Sequence, residues 1–315
     1  MPERLGPPRE TPLFDRVALI GIGLIGSSIA RAVRHLNLAR TIVAVDRDEN
    51  VVARVRELGF ADDATSDAAA GVTGADLVIL CVPVGACGAV AAVIAKSLKP
   101  GAILSDVGSV KGSVIAQVQP HLPEDVSFVP AHPVAGTEHS GPDAGFATLF
   151  FNRWCILTPP ENTPDGAVER VREFWSAMGS NVEVMTAQHH DLVLAITSHV
   201  PHLIAYNIVG TAADLETVTQ SEVIKFSAGG FRDFTRIAAS DPTMWRDVFL
   251  HNKEAVLEML GRLNEDIALL ARAIRWGEGD KLFDLFTRTR AIRRGIISVG
   301  QETPEPDFGR RRDGQ

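Results

Sequence analysis

Cysteine is scarce in this chain. Cys81, Cys87 and Cys155 are the three in 315 residues, an odd number without CxxC spacing. That excludes a disulfide framework and fits a reducing, cytoplasmic setting. Cys81 lies in an apolar run and reads as a small core residue. Basic charge is not in excess either. The 31 Lys and Arg stand against 39 Asp and Glu, a net charge of −8, which argues against general affinity for nucleic acid or anionic membrane. Met1 to Arg16 holds charges and prolines but no apolar h-region, so no signal peptide is expected. No uninterrupted apolar stretch approaches the length of a membrane span, and there is no internal repeat. What is present has an ordinary soluble balance, 45% hydrophobic and 22% charged, with length for two domains and a large core. Residues Gln301 to Gln315, with Pro304, Pro306 and Arg310-Arg311-Arg312, read as a flexible, solvated tail.

The strongest positive signal is Val17-Ala18-Leu19-Ile20-Gly21-Ile22-Gly23-Leu24-Ile25-Gly26. It reads as a strand, a glycine turn and a helix start, the arrangement that holds a dinucleotide pyrophosphate. Gly21 permits the tight turn, Gly23 lets backbone N–H groups approach a phosphate, and Gly26 lets the helix pack on the strand. A second apolar strand, Ile42-Val43-Ala44-Val45, ends on Asp46, where a carboxylate accepts hydrogen bonds from the ribose hydroxyls. The alternative role for Asp46 is the N-cap of the run beginning at Asp48. Its charge repels a 2′-phosphate, partly offset by Arg47, so NAD is favoured over NADP. The cofactor-binding set expected here is Gly21, Gly23, Leu24, Ile25, Gly26, Asp46 and Arg47, joined by Val82 and Pro83 at the end of a neighbouring strand.

From Arg16 to about Val184, strand-like apolar runs alternate with amphipathic helices. Asp76 to Val82 is a continuous apolar run of the kind covered on both faces, and Ala102 to Val107 and Val126 to Val129 are further strand candidates. Such alternation implies right-handed βαβ crossovers and a doubly wound, Rossmann-type α/β sheet domain. Ligands of such sheets bind beyond the carboxyl ends of the strands. Val82-Pro83-Val84, Asp106-Val107-Gly108-Ser109 and His132-Pro133 each follow a strand end and converge there. After about Thr186 the strand signal stops. His189 to Ala213, Leu215 to Ser227, Met244 to Ile274 and Lys281 to Ser298 read as helices, and Ser240-Asp241-Pro242 as a capped helix start. The expected boundaries are 15–186 for the NAD-binding domain, 187–300 for an all-α domain and 301–315 for the tail.

Several side chains near that cleft can do chemistry. His132, between a strand end and Pro133, is either a base that takes a proton from a hydroxyl or a hydrogen-bonded loop histidine. Ser109 either caps the helix starting near Val110 or meets a substrate oxygen, and Lys111 brings a charge beside the cleft. His190, His199 and His202 share one helix, but with no HExxH, and with Pro201 in the cluster, a metal site is not expected. A polar helix face lining an anionic pocket is the better reading. Arg236 is suited to clamping a carboxylate, or else faces solvent. Trp245 is a core residue or a pocket wall.

Taken in order, Gly21 to Ser28, Asp106 to Lys111, His132 to Glu138, Ser198 to His202 and Gly230 to Ala238 resemble the prephenate/arogenate (cyclohexadienyl) dehydrogenase family. The resemblance runs from about Arg16 to Ser298. It implies an NAD-dependent oxidative decarboxylation in which hydride leaves C4 of a cyclohexadienol ring, CO₂ departs and the ring becomes aromatic. By resemblance His132 is the catalytic base on the C4 hydroxyl, and Ser109 meets the same hydroxyl. Arg236 holds a substrate carboxylate, His202 and His190 line the pocket, and Glu138 looks like its acidic gatekeeper. Trp245 is similar to a residue that reaches the partner subunit's site, which implies a homodimer formed through the helical domain. No room is expected for a regulatory amino-acid-binding domain after the last helix. The rival readings are another NAD(P)-dependent hydroxy-acid or imine oxidoreductase and a non-catalytic NAD sensor. The first commonly needs a lysine in the helical domain, where Lys225, Lys253 and Lys281 have no obvious catalytic setting.

Overall fold

Uninterrupted runs of branched apolar residues become the strands of a parallel sheet in the computed structural model, which describes residues 5–137, 139–219 and 228–298. The strands are β1 (Phe14–Ile20), β2 (Ala39–Val45), β3 (Asp63–Thr65), β4 (Leu77–Leu80), β5 (Ile103–Asp106) and β6 (Ser127–Phe128). They lie in the order β3-β2-β1-β4-β5-β6, every pair parallel. That is the order of a doubly wound dinucleotide-binding sheet, with its switch point between β1 and β4.

The alternation of side chains along each strand explains why both faces are apolar. Val17, Leu19, Ile42, Ala44, Leu77 and Ile79 face one buried cluster. Ala18, Ile20, Val43, Val45, Val78 and Leu80 face the other. A sheet covered on both sides therefore reads as a continuous hydrophobic run. The connecting helices are α1 (Leu24–Leu36), α2 (Glu49–Leu58), α3 (Ala68–Val72), α4 (Cys87–Ile94) and α5 (Lys111–Val118).

A second, three-stranded sheet follows: β7 (Ala131–Pro133), β8 (Trp154–Leu157) and β9 (Asn181–Val184), with α6 (Asp165–Ala177) between the last two. His132 therefore lies inside a strand, paired with Ile156 of β8, rather than just after one. A three-residue strand ending on proline carries too little periodicity to be read in advance.

The long helical stretch after Thr186 is interrupted. α7 (Ala187–Leu194) runs through a π-helical turn, Ala195–His199, into α8 (Val200–Thr219). Then come α9 (Gly229–Thr235) and α10 (Pro242–His251). The latter is capped as expected, with Asp241 Oδ1 accepting from Met244 N at 2.8 Å. Residues 220–227 of the helix read from Leu215 to Ser227 lie outside the described residues, as does the tail from 301. By length and composition alone, Ala187–Asp214 is apolar enough on average to cross a membrane. Its apolar residues are interrupted by His, Ser, Thr and Asn and by the acids Asp191 and Asp214. Leu194, Ala195, Val200 and Ala205 of this stretch are buried in the core.

The chain divides into two compact units after Val256. The second unit holds most of α11 (Lys253–Trp276) and α12 (Gly279–Ser298). Leu269, Ile274, Trp276, Phe283, Phe286 and Ile292 of these two helices are exposed.

Candidate active site

The loop between β1 and α1 is shaped for a dinucleotide. Gly21 has φ +95°, and a Cβ there would lie 2.6 Å from the Cys81 carbonyl oxygen. At Gly26 a Cβ would lie 2.2 Å from the Gly21 carbonyl oxygen. Neither position can carry a side chain without moving backbone. A Cβ on Gly23, by contrast, would meet nothing within 4 Å, and Gly23 gives α1 no side-chain cap. The helix N-terminus thus keeps its N–H groups and positive end for an anion. Leu24 is buried and Ile25 half-buried behind the turn, and Val82 and exposed Pro83 follow β4 beside it. Asp46, at the end of β2, accepts from Ile22 N at 2.8 Å and from Asp48 N at 3.1 Å. Asp48, not Asp46, is the N-cap of α2. Asp46 is therefore tied to the glycine loop, with exposed Arg47 next to it. These residues fit NAD.

Beyond β5 the loop residue Ser109 is half-buried. It does not cap α5. The N-cap position is Val110, without a side-chain hydrogen bond, and the first N–H groups of the helix are taken by a residue 80 positions away. Asp191 accepts from Lys111 N through Oδ1 and from Gly112 N through Oδ2, each at 2.8 Å. Lys111 is not a cleft charge either. Its side chain is fully buried, paired with buried Asp106 and donating to the Ala131 carbonyl at 2.7 Å. Burial of so long a cation is tolerable only with such a partner.

His132 is at the centre of a buried polar cluster. Its Nδ1 lies 2.8 Å from His190 Nε2, and His190 Nδ1 lies 2.8 Å from Asp191 Oδ1. Asn252 Nδ2 donates to the Asp191 carbonyl at 2.9 Å and to His199 Nδ1 at 3.0 Å. Among the described residues, His199 Nε2 makes no close hydrogen bond. Burial, then the neighbouring charges of His190, Lys111 and His199, hold His132 well below the usual histidine value. Burial also lowers His190, against the opposing pull of Asp191. The same cause takes His199 down to about 4.

A separate group surrounds His202. The π turn sets its phase on the helix, and its Nδ1 donates to the Ser198 carbonyl at 2.8 Å. Its ring stacks on Trp245, with centroids 3.6 Å apart and planes inclined by 22°. Trp245, which the resemblance sends to a partner's site, thus packs within its own chain. Burial lowers the His202 pKa, and the cation of Arg236 adds to that. Arg236 opens a 3₁₀ turn after α9 and is exposed. Glu138 lies outside the described residues. Asp191, which joins His190 to the start of α5, is absent from the residues singled out by the sequence. Its signal was an acid directly after a histidine in the first turns of a helix.

These histidines set a stability profile. Unfolding returns each to a value near 6.5, so in acid the unfolded chain takes up protons that the folded chain refuses. Stability should fall as pH drops below about 6.5 and keep falling toward about 4, where His199 titrates in the fold. Urea unfolding at pH steps between 7.5 and 4.5 checks this. A flat profile from pH 7 to 5 would contradict it.

Comparison with known proteins places these features. Residues 29–184 match the nucleotide-binding domain of prephenate dehydrogenase, and residues 186–288 match its dimerization domain. The cyclohexadienyl dehydrogenase of Zymomonas mobilis is 44% identical over 281 residues, spanning 89% of this chain and 96% of that protein. The prephenate dehydrogenase of Bacillus subtilis is 34% identical over 90% of this chain and 76% of its own length. In the crystal structure of A. aeolicus prephenate dehydrogenase with hydroxyphenyl propionate and NAD⁺, 98% of that chain matches 90% of this one. The TM-score is 0.84 at 32% identity.

Proposed function

Because the chain belongs to the prephenate dehydrogenase family, we propose that it acts on prephenate, arogenate or both in tyrosine biosynthesis. The reaction is oxidative decarboxylation with NAD, giving 4-hydroxyphenylpyruvate or tyrosine with CO₂. The observation that carries this reading at the level of residues is a buried histidine, His132, in the cluster that also engages His190 and Asp191. Bound NAD supplies the hydride acceptor. Gly21, Gly23, Leu24, Ile25 and Gly26 hold its pyrophosphate, Asp46 and Arg47 its ribose end, and Val82 and Pro83 the next stretch. His132 takes the proton of the C4 hydroxyl and Ser109 hydrogen-bonds the same oxygen. Aromatisation of the ring provides the driving force, so the chain need supply only a base, an oriented substrate and a carboxylate clamp.

Arg236 is that clamp, with His202 lining the pocket and Trp245 holding the His202 ring, while His190 stands behind His132 with both ring nitrogens engaged. Glu138 is the gatekeeper. A charge-assisted contact is worth ~1.5–3 kcal/mol, so Arg236→Ala should raise KM about 10- to 100-fold with kcat within a few-fold. An unaltered KM would remove Arg236 from the pocket. We assign 15–186 to NAD, and 187–300 to substrate and to a homodimer in a reducing cytoplasm. The exposed Trp276, Phe283 and Phe286 support the homodimer. NADH absorbance with NAD and each substrate in turn tests the activity. No turnover with either would overturn it, and the ratio of kcat/KM values sets the preference.

A further inference from the structure

The hydrogen bonds behind His132 have a fixed direction. The Asp191 carboxylate accepts from two backbone N–H groups of α5, and as a carboxylate it can only accept from His190 as well. His190 therefore carries its proton on Nδ1, 2.8 Å from Asp191 Oδ1. A neutral imidazole has one N–H, so His190 Nε2 is an acceptor. It faces His132 Nδ1 at 2.8 Å, and that nitrogen must be the donor. The remaining nitrogen of His132, Nε2, is left with its lone pair.

We propose that Asp191 is a positioning residue which, through His190, fixes the His132 proton on Nδ1 and so makes Nε2 the base. The proposal rests on the reading that His132 is the catalytic base. Asp191 also caps α5, the helix that directly follows the Ser109 loop, so one carboxylate orients two elements of the site. Burial and the nearby Lys111 cation keep both rings neutral before substrate arrives, as the chain of donors requires. When His132 Nε2 takes a proton, no other proton needs to move. The new imidazolium already donates from Nδ1 to His190, which donates in turn to a negative charge.

Asp191→Asn tests this. An amide cannot supply an acceptor to every donor around it, and its NH₂ group turned to His190 makes that ring donate from Nε2. His132 Nδ1 then becomes the acceptor and its proton sits on Nε2, the wrong nitrogen. ¹⁵N-histidine-labelled enzyme, with His132 assigned by the signal missing in His132→Asn, reads the tautomer directly by NMR. The expected result is Nδ1–H in the wild type and Nε2–H in Asp191→Asn. With it, kcat should fall about 10- to 100-fold at a KM within about twofold.

A wild-type His132 protonated on Nε2 overturns the proposal, and so does a tautomer that Asp191→Asn leaves unchanged. If the tautomer switches with no loss of rate, His132 as base falls while the control of its proton by Asp191 stands. Should Asp191→Asn not fold for want of its cap, the wild-type spectrum still decides. His190→Gln, which leaves the cap intact, then shows whether kcat falls when the link to Asp191 is cut.

Discussion

His132→Asn should lower kcat about 10²–10⁴-fold while KM for the ring substrate stays within a few-fold, the range expected for loss of a general base. Asparagine is polar and close in size to the inner part of imidazole, so the strand pairing of His132 with Ile156 can persist. What it lacks is a basic nitrogen. The C4 hydroxyl then loses the acceptor that the His132 imidazole provides for its proton. Substrate affinity depends on Arg236 and on the pocket wall, which this change leaves in place. Steady-state NADH formation gives both constants, and an unchanged kcat would refute the role of His132.

Lys111→Met should destabilise the first compact unit by roughly 3–5 kcal/mol, the usual cost of stranding one member of a buried ion pair. Lys111 and Asp106 are both fully buried. Without the ammonium, Asp106 keeps, among the described residues, the Gly108 N–H at 2.7 Å for a carboxylate whose Oδ1 has no partner among them. The Ala131 carbonyl, one residue before His132, loses its donor as well. Denaturant unfolding of the variant measures the loss, and a change below about 1 kcal/mol would mean that the pair is dispensable. The double variant Lys111→Met with Asp106→Asn should recover much of it. The amide can still accept from Gly108 N and has no charge to bury.

The fate of Lys111 illustrates how far local reading reaches. A lysine after a strand end, next to serine and glycine, has the local pattern of a pocket charge. Its actual partner, Asp106, is five residues away, but whether the pair faces solvent or core depends on β7 and α7 closing over it. Asp191 is the same case at longer range. It caps α5 from a sequence distance of 80 residues, and no local rule pairs a helix start with an acid so remote. The His202–Trp245 stack depends on a π turn, and one extra residue in a helical turn leaves no mark in hydrophobic periodicity.

Other features were legible because they are local. The β1 turn needs residues without Cβ atoms at Gly21 and Gly26, and a buried parallel sheet needs continuous apolar runs. Both are properties of short segments, so the α/β class, the glycine turn between β1 and α1, the Asp241 cap and the family resemblance followed from the residues themselves. Tertiary structure alone decided which polar groups meet in the dry interior. It placed His132 inside a strand, turned Asp191 toward both α5 and His190, and buried Lys111 against Asp106. The physical reason is that backbone sterics and apolar periodicity act over a few residues, whereas buried donors and acceptors must find partners wherever the fold brings them.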